Sequence, residues 1–90
     1  MAPIIENWAE VSGKVKSITD HPGMDGFKQT TVSLKSSKDV GDFPNLARAD
    51  EGTDILINVR SGEIDKAEAV EGEHFTGTVR KAFGQVYFLK

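Results

Sequence analysis

Apolar and polar residues alternate along the chain from Trp8 onward, which is the pattern of a β-strand with one buried face. The residues predicted to face inward are Ala9, Val11, Gly13 and Val15, and those predicted to face solvent are Glu10, Ser12, Lys14 and Lys16. A glycine inside a strand is typical of a bulge or a bend, so Gly13 predicts a strand that curls, as the strands of a barrel do.

Four further strands are predicted at residues 27–35, 54–60, 75–81 and 85–90. The inward positions of the second to fourth strands are Thr30, Val32, Leu34, Ile55, Ile57, Val59, Gly77 and Val79. The outward positions include Phe27, Leu56, Asn58, Arg60 and Tyr87, and the stem of Lys28 is expected to face inward with Thr30.

Residues 21–26 (H-P-G-M-D-G) and 82–84 (A-F-G) are rich in turn formers, so each is predicted to close a hairpin. The connection at residues 36–52 is long, and Phe43, Leu46 and Ala47 are predicted to form a short helical turn that closes the bottom of the barrel. In residues 62–72, apolar side chains recur every third position at Ile64, Ala67 and Val70, which predicts an amphipathic helix ending at Gly72.

Two segments carry a resemblance to a known family: V-S-G-K-V-K at residues 11–16 and E-G-E-H-F-T-G-T-V-R at residues 71–80. With the order of elements, they make residues 8–90 similar to the OB-fold, a five-stranded Greek-key barrel, here with a helix between strands three and four. We therefore expect a mainly β, single-domain protein with residues 1–7 as a flexible lead-in. An SH3-like barrel or a split α+β sheet would give a similar order of elements.

The length, composition and net charge of the chain restrict the kinds of function that it can have. The 90 residues allow one domain, and the absence of cysteine excludes disulfides, zinc–thiolate sites and cysteine nucleophiles. No apolar run is long enough for a membrane span, and residues 1–10 do not have the pattern of a signal peptide, so a cytoplasmic location is expected. The net charge of −3 means that a nucleic acid would have to meet a local basic face.

Catalytic chemistry finds little support in the sequence. His21 and His74 are far apart, no common catalytic or phosphate-binding motif occurs, and Asp50-Glu51 lies in a predicted loop without an apolar pocket. We expect neither an enzyme nor a cofactor or metal site.

The resemblance implies binding of single-stranded DNA or RNA, because OB-folds commonly bind oligonucleotides across strands two and three. The residues expected to stack on bases are Phe27, Phe83 and Tyr87, and those expected to meet phosphates are Lys14, Lys16, Lys28, Arg60, Arg80 and Lys81. Trp8 is expected to pack over one end of the barrel instead. Asp20 and Asp25 depart from the pattern, because they put negative charge in the first hairpin loop.

The alternative is a protein-interaction domain. Its candidate surface is the acidic set on and after the predicted helix, namely Glu63, Asp65, Glu68, Glu71 and Glu73. Such a surface would suit a basic protein partner, although a solvated helix face is the simpler interpretation of those charges.

Overall fold

The computed structural model describes residues 7–64 and 69–89, and in them five strands form a closed barrel. The strands are β1 (Ala9–Asp20), β2 (Phe27–Asp39), β3 (Asp54–Arg60), β4 (His74–Phe83) and β5 (Val86–Leu89). Their order around the barrel is β1-β2-β3-β5-β4, and the pairing of β1 with β4 closes it. All pairs are antiparallel except β3 with β5, which are parallel. The predicted mainly β, five-stranded barrel is confirmed.

Most of the side chains that fill the barrel interior are those that the alternation placed inward on the first four strands. The buried apolar residues of the strands are Ala9, Val11, Val15, Val32, Leu34, Ile55, Ile57, Val59, Phe75, Val79 and Tyr87. Burial of such side chains contributes roughly 1.5–3 kcal/mol each for the larger aliphatic ones, which is the main favourable term in folding. The inward faces of β1 to β4 are therefore as the sequence predicted.

Gly13 lies where the pairing of β1 with β2 is irregular, and the residue left out of the pairing there is Lys35 of β2. The pairing of β1 with β2 shifts register between Ser12 and Gly13. A Cβ atom on Gly13 would lie 2.2 Å from the Ser33 backbone oxygen, which no side chain can tolerate. The absence of a side chain therefore lets the two strands approach closely at this register shift.

β1 and β2 both run further than the alternation predicted, to Asp20 and Asp39. Residues 36–39 contain no apolar side chain, so their own sequence does not indicate a strand. They pair with residues 9–12 of β1, and these cross-strand hydrogen bonds hold the end of β2 extended.

The short helical turn predicted in the long connection is confirmed as a 3-10 helix, Leu46–Asp50. The Asn45 side chain caps it by accepting a hydrogen bond from the Ala47 N–H (3.1 Å). Ala47 is buried against the core, whereas Phe43 and Leu46 remain exposed, so fewer side chains close this end of the barrel than predicted.

The predicted helix of residues 62–72 falls partly on residues 65–68, which lie outside the described residues. On the described side before them is a single 3-10 turn, Ser61–Glu63. On the side after them, the Gly72 N–H donates to the Val15 carbonyl (2.8 Å), and the Glu71 carboxylate accepts the Ile18 N–H (2.9 Å). The described residues on either side of the gap therefore form no α-helix. Those after the gap are held to β1 by these two hydrogen bonds.

The predicted outward direction of Tyr87 is wrong. Its side chain is 1% exposed and points into the barrel, and its neighbour Phe88 lies on the outer face. The parallel pairing with β3 decides this, because Tyr87 stands opposite the inward Ile57 and Phe88 stands opposite the outward Asn58.

Asn7 was predicted to be part of the lead-in, but it is buried just before β1. Its side-chain amide donates to the Lys81 carbonyl (3.1 Å), and its side-chain oxygen accepts the Lys81 N–H (2.8 Å). The Asn7 side chain thus bonds the Lys81 backbone in the way that a paired strand would, and it continues the contact between β1 and β4 beyond the end of β1.

Candidate functional site

A groove with a volume of about 390 Å³ runs over the outer face of the barrel. We call it the aromatic groove and define it by its lining residues: Trp8, Phe27, Asn58, Val59, Arg60, Glu63, Arg80, Phe88 and Leu89. Its volume lies within the roughly 300–1,000 Å³ that is common for ligand pockets.

Strand register brings the groove residues together. Phe88 of β5 stands opposite Asn58 of β3 on one side and opposite Arg80 of β4 on the other. Phe27 at the start of β2 stands opposite Arg60 at the end of β3. Because directly opposed residues in neighbouring strands project to the same face, these five side chains share one patch of the outer surface.

Two phenylalanine rings form the centre of the aromatic groove. The centroids of the Phe27 and Phe88 rings are 6.3 Å apart, and the ring planes meet at 88°, an edge-to-face arrangement. The Arg80 guanidinium lies over the Phe88 ring with its Cζ 5.6 Å from the centroid, at the distance of a cation–π contact. Both rings are half-buried, so each is held in place and still reaches the surface.

The charged side chains that line the aromatic groove are Arg60, Arg80 and Glu63. Within the described part of the chain, neither arginine takes part in an ion pair. Both guanidinium groups therefore keep their charge available to an anionic ligand, and Glu63 is the one carboxylate among the described lining residues.

Three of the predicted phosphate-binding lysines are each paired with an aspartate. Lys16 Nζ lies 2.9 Å from the Asp54 carboxylate, Lys28 contacts Asp20, and Lys81 contacts Asp50. The hydrogen bond and the positive charge of Lys28 lower the pKa of the Asp20 carboxyl below its ordinary value.

Neither Lys14 nor Phe83, the remaining predicted contacts, lines the aromatic groove. Lys14 is exposed on β1, opposite Ser33 and His74. Phe83 is 70% exposed at the tip of the β4–β5 hairpin. Of the nine predicted contact residues, the groove brings together Phe27, Arg60 and Arg80.

Asn58 contributes a buried polar side chain to the aromatic groove. It is 3% exposed, although the strand pattern predicted an outward and solvated position. Among the described residues, its Oδ1 has no hydrogen-bond partner. An unpaired buried acceptor costs about 1–3 kcal/mol of stability.

Tyr87 and Lys81 belong to a network at the barrel end that the 3-10 helix closes. The Tyr87 hydroxyl donates to Asp50 Oδ2 (2.5 Å), and Lys81 Nζ donates to the same oxygen (3.0 Å). Burial, followed by the hydrogen bond to the Asp50 carboxylate, raises the pKa of Tyr87 well above its ordinary value. This network satisfies buried groups within the barrel, so it stabilises the fold and presents no stacking surface.

Sequence reasoning missed Trp8, Asn58 and Phe88 as groove residues. The alternation in β5 does separate Tyr87 from Phe88, but it does not say which of the two points outward. That choice depends on the pairing of β5 with β3, which is a long-range contact. Trp8, which was expected to pack over one end of the barrel, is half-buried and lines the groove.

Within residues 7–64 and 69–89, no group of three or more histidine, aspartate or glutamate side chains could hold a metal ion. In the same residues, no helix has the length and apolar character to cross a membrane. No protein-family model matches the sequence, and no curated protein matches it significantly.

Proposed function

We propose that this protein binds single-stranded nucleic acid in the aromatic groove, without catalysing a reaction. The observation that carries the proposal is the placement of Arg60 and Arg80, which form no ion pair within residues 7–64 and 69–89, beside the Phe27–Phe88 ring pair. Aromatic rings that stack on bases, with cations that meet the phosphates between them, are the usual means of binding a single strand.

The order of strands supports the proposal. A five-stranded barrel closed between β1 and β4, with β3 parallel to β5, is compatible with an OB-like barrel. OB-folds bind oligonucleotides mainly through the face of strands two and three. Phe27 of β2, and Asn58 and Arg60 of β3, line the groove from that side.

The energy of binding is expected to be shared between stacking and charge. A base that stacks on an aromatic side chain contributes roughly 1–3 kcal/mol. Each phosphate neutralised on a single strand contributes a slope of about −0.7 to the plot of log affinity against log salt concentration. Two arginines therefore predict a slope of about −1.4, which is modest for a nucleic-acid-binding protein.

Fluorescence anisotropy with a labelled mixed-sequence DNA oligonucleotide tests the proposal. We expect saturable binding at low salt, with the slope given above. Arg60→Gln and Arg80→Gln should each weaken binding and each reduce the slope by about 0.7. Lys16→Gln is the matched control, because Lys16 is paired with Asp54 away from the groove, and it should leave both quantities nearly unchanged.

Two results would contradict the proposal. The first is the absence of any binding at low salt, up to high protein concentration. The second is binding that Arg60→Gln and Arg80→Gln leave as strong as that of the unchanged protein, which would show that the nucleic acid binds elsewhere.

The alternative of a protein-interaction domain has less support. Among the acidic residues of that candidate surface, the Glu71 carboxylate already accepts a hydrogen bond from the Ile18 N–H. Residues 65–68, which contain two more of them, lie outside the described residues. A defined protein partner that survives nuclease treatment in a pull-down, together with failure to bind oligonucleotides, would favour this alternative.

A further inference from the structure

Trp8 lines the aromatic groove from the side of β1, and its two neighbours in the chain fix its position. The residue before it, Asn7, bonds the Lys81 backbone, and the residue after it, Ala9, stands opposite Val79 in the pairing of β1 with β4. Trp8 therefore lies beside the residue of β4 that stands between those two. It is half-buried, so part of it remains open to a molecule in the groove.

The residue of β4 beside Trp8 is Arg80, which has an aromatic neighbour on its other side as well. Phe88 of β5 stands opposite Arg80, and the Arg80 Cζ lies 5.6 Å from the centroid of the Phe88 ring. Beyond Phe88 the groove continues to Phe27 and to Arg60, which stand opposite each other on β2 and β3. Aromatic and cationic side chains therefore alternate across the barrel surface.

We infer that the aromatic groove binds two consecutive nucleotides of a single strand, with one base on the Phe27–Phe88 pair, the next base on Trp8 and the phosphate between them on Arg80. This inference rests on the proposed function, and it adds the length of the bound segment and a second base-binding position. A phosphate joins each nucleoside to the next, so bases and negative charges alternate along the strand as aromatic and cationic groups alternate across the groove.

The separation of the two aromatic positions determines the conformation of the bound strand. Trp8 continues β1, and β4 lies between β1 and the strand of Phe88, so the two residues are two strand spacings apart, or about 10 Å. Consecutive bases that remain stacked on each other are only about 3.4 Å apart. The bound strand is therefore extended, and each of its two bases stacks on the protein and not on its neighbour.

The distribution of charge in the groove favours a phosphate at Arg80. Glu63, the one carboxylate among the described lining residues, follows Arg60 at the end of β3. The lining residues that β4 and β5 contribute are Arg80, Phe88 and Leu89, none of which is acidic. The part of the groove between Trp8 and Phe88 therefore offers a phosphate a cation without a carboxylate among its lining residues.

The test uses oligonucleotides that have the same length and phosphate charge and differ in their number of bases. One consists of abasic sugars throughout, a second carries a single thymine, and a third carries two adjacent thymines. We expect the second thymine to tighten binding about tenfold, because it adds one base stacked on an aromatic side chain. A single stacking position would give only a roughly twofold gain, since either thymine can occupy it.

Trp8 is the only tryptophan of the chain, so its fluorescence reports on the second position directly. We expect the oligonucleotide with two thymines to quench this fluorescence at saturation, and the abasic oligonucleotide to leave it nearly unchanged. Both comparisons use the unchanged protein, so neither depends on the folding of a variant.

Three variants connect the gain to Trp8. Trp8→Leu removes the aromatic ring and should reduce the gain from the second thymine to about twofold. Trp8→Phe keeps an aromatic ring and should retain most of the tenfold gain. Phe83→Leu is the matched control, because it makes the same kind of change at an exposed ring outside the groove, and it should retain the full gain.

The outcomes separate this inference from the proposed function. A gain of only about twofold in the unchanged protein would overturn the inference and leave the proposed function standing. Trp8 fluorescence that does not change at saturation, or a tenfold gain that persists in Trp8→Leu, would also overturn it, because the second base would then bind elsewhere. If no oligonucleotide, including one of mixed sequence, binds at low salt, the proposed function and the inference both fail.

Discussion

Alkaline pH should destabilise the barrel through Tyr87, the only tyrosine of the chain. The hydroxyl is buried and donates to the Asp50 carboxylate, and the pKa of Tyr87 is raised above its ordinary value of about 10. The unfolded chain releases this proton near pH 10, whereas the folded protein retains it. The stabilisation is therefore complete below about pH 10 and is lost as the pH rises above that value.

The size of the effect follows from proton linkage. While the unfolded state is ionised and the folded state is protonated, the free energy of unfolding falls by about 1.4 kcal/mol for each pH unit. Tyr87→Phe should remove this contribution, and it should cost about 1.5–3 kcal/mol at neutral pH, the usual contribution of a hydrogen bond to a charged group. Asp50→Asn should reduce the alkaline dependence only in part, because burial is the larger cause of the raised pKa.

Two measurements check this prediction. Urea unfolding, followed by the fluorescence of the single tryptophan, gives the free energy of unfolding at each pH for the unchanged protein and for Tyr87→Phe. The near-ultraviolet absorbance of tyrosinate reports ionisation of Tyr87 directly. Tyrosinate that forms near pH 10 while the protein stays folded would refute the reasoning, and so would an equal alkaline loss in Tyr87→Phe.

Three further predictions concern the fold and the groove. Gly13→Ala should destabilise the protein by about 1–3 kcal/mol or prevent folding, since its Cβ would meet the Ser33 backbone oxygen; a urea midpoint equal to that of the unchanged protein would contradict this. Ile57→Ala should cost about 2–5 kcal/mol in urea unfolding, because Ile57 is fully buried. Phe88→Ala should weaken oligonucleotide binding by about 1–3 kcal/mol in the anisotropy assay, whereas Phe83→Ala, outside the groove, should leave it nearly unchanged.

The site could be predicted from the sequence only in part. Phe27, Arg60 and Arg80 are groove residues that the outward positions and the resemblance indicated. Composition could not show that Lys16 and Lys28 form ion pairs, because their partners Asp54 and Asp20 become neighbours only when strands pair. Charges that are separated along the chain give no sign of their pairing until the register is known.

Most of the fold was determined by the sequence itself. The period-two alternation of β1 to β4 decided which side chains fill the barrel, because an inward polar residue would lose its water without compensation. The glycine in β1 indicated the irregular pairing with β2, because only a residue without a Cβ atom fits against the Ser33 backbone. These are local signals, and each can be read within one segment.

The tertiary structure decided what depends on pairs of distant segments. Residues 36–39 are extended because they pair with β1. Tyr87 points inward because the register of β5 with its parallel partner β3 places it opposite Ile57. The same register placed Phe88 beside Asn58 on the outer face and so formed the groove. A four-residue strand is too short for its own alternation to specify a face, so its neighbours in the barrel specify it.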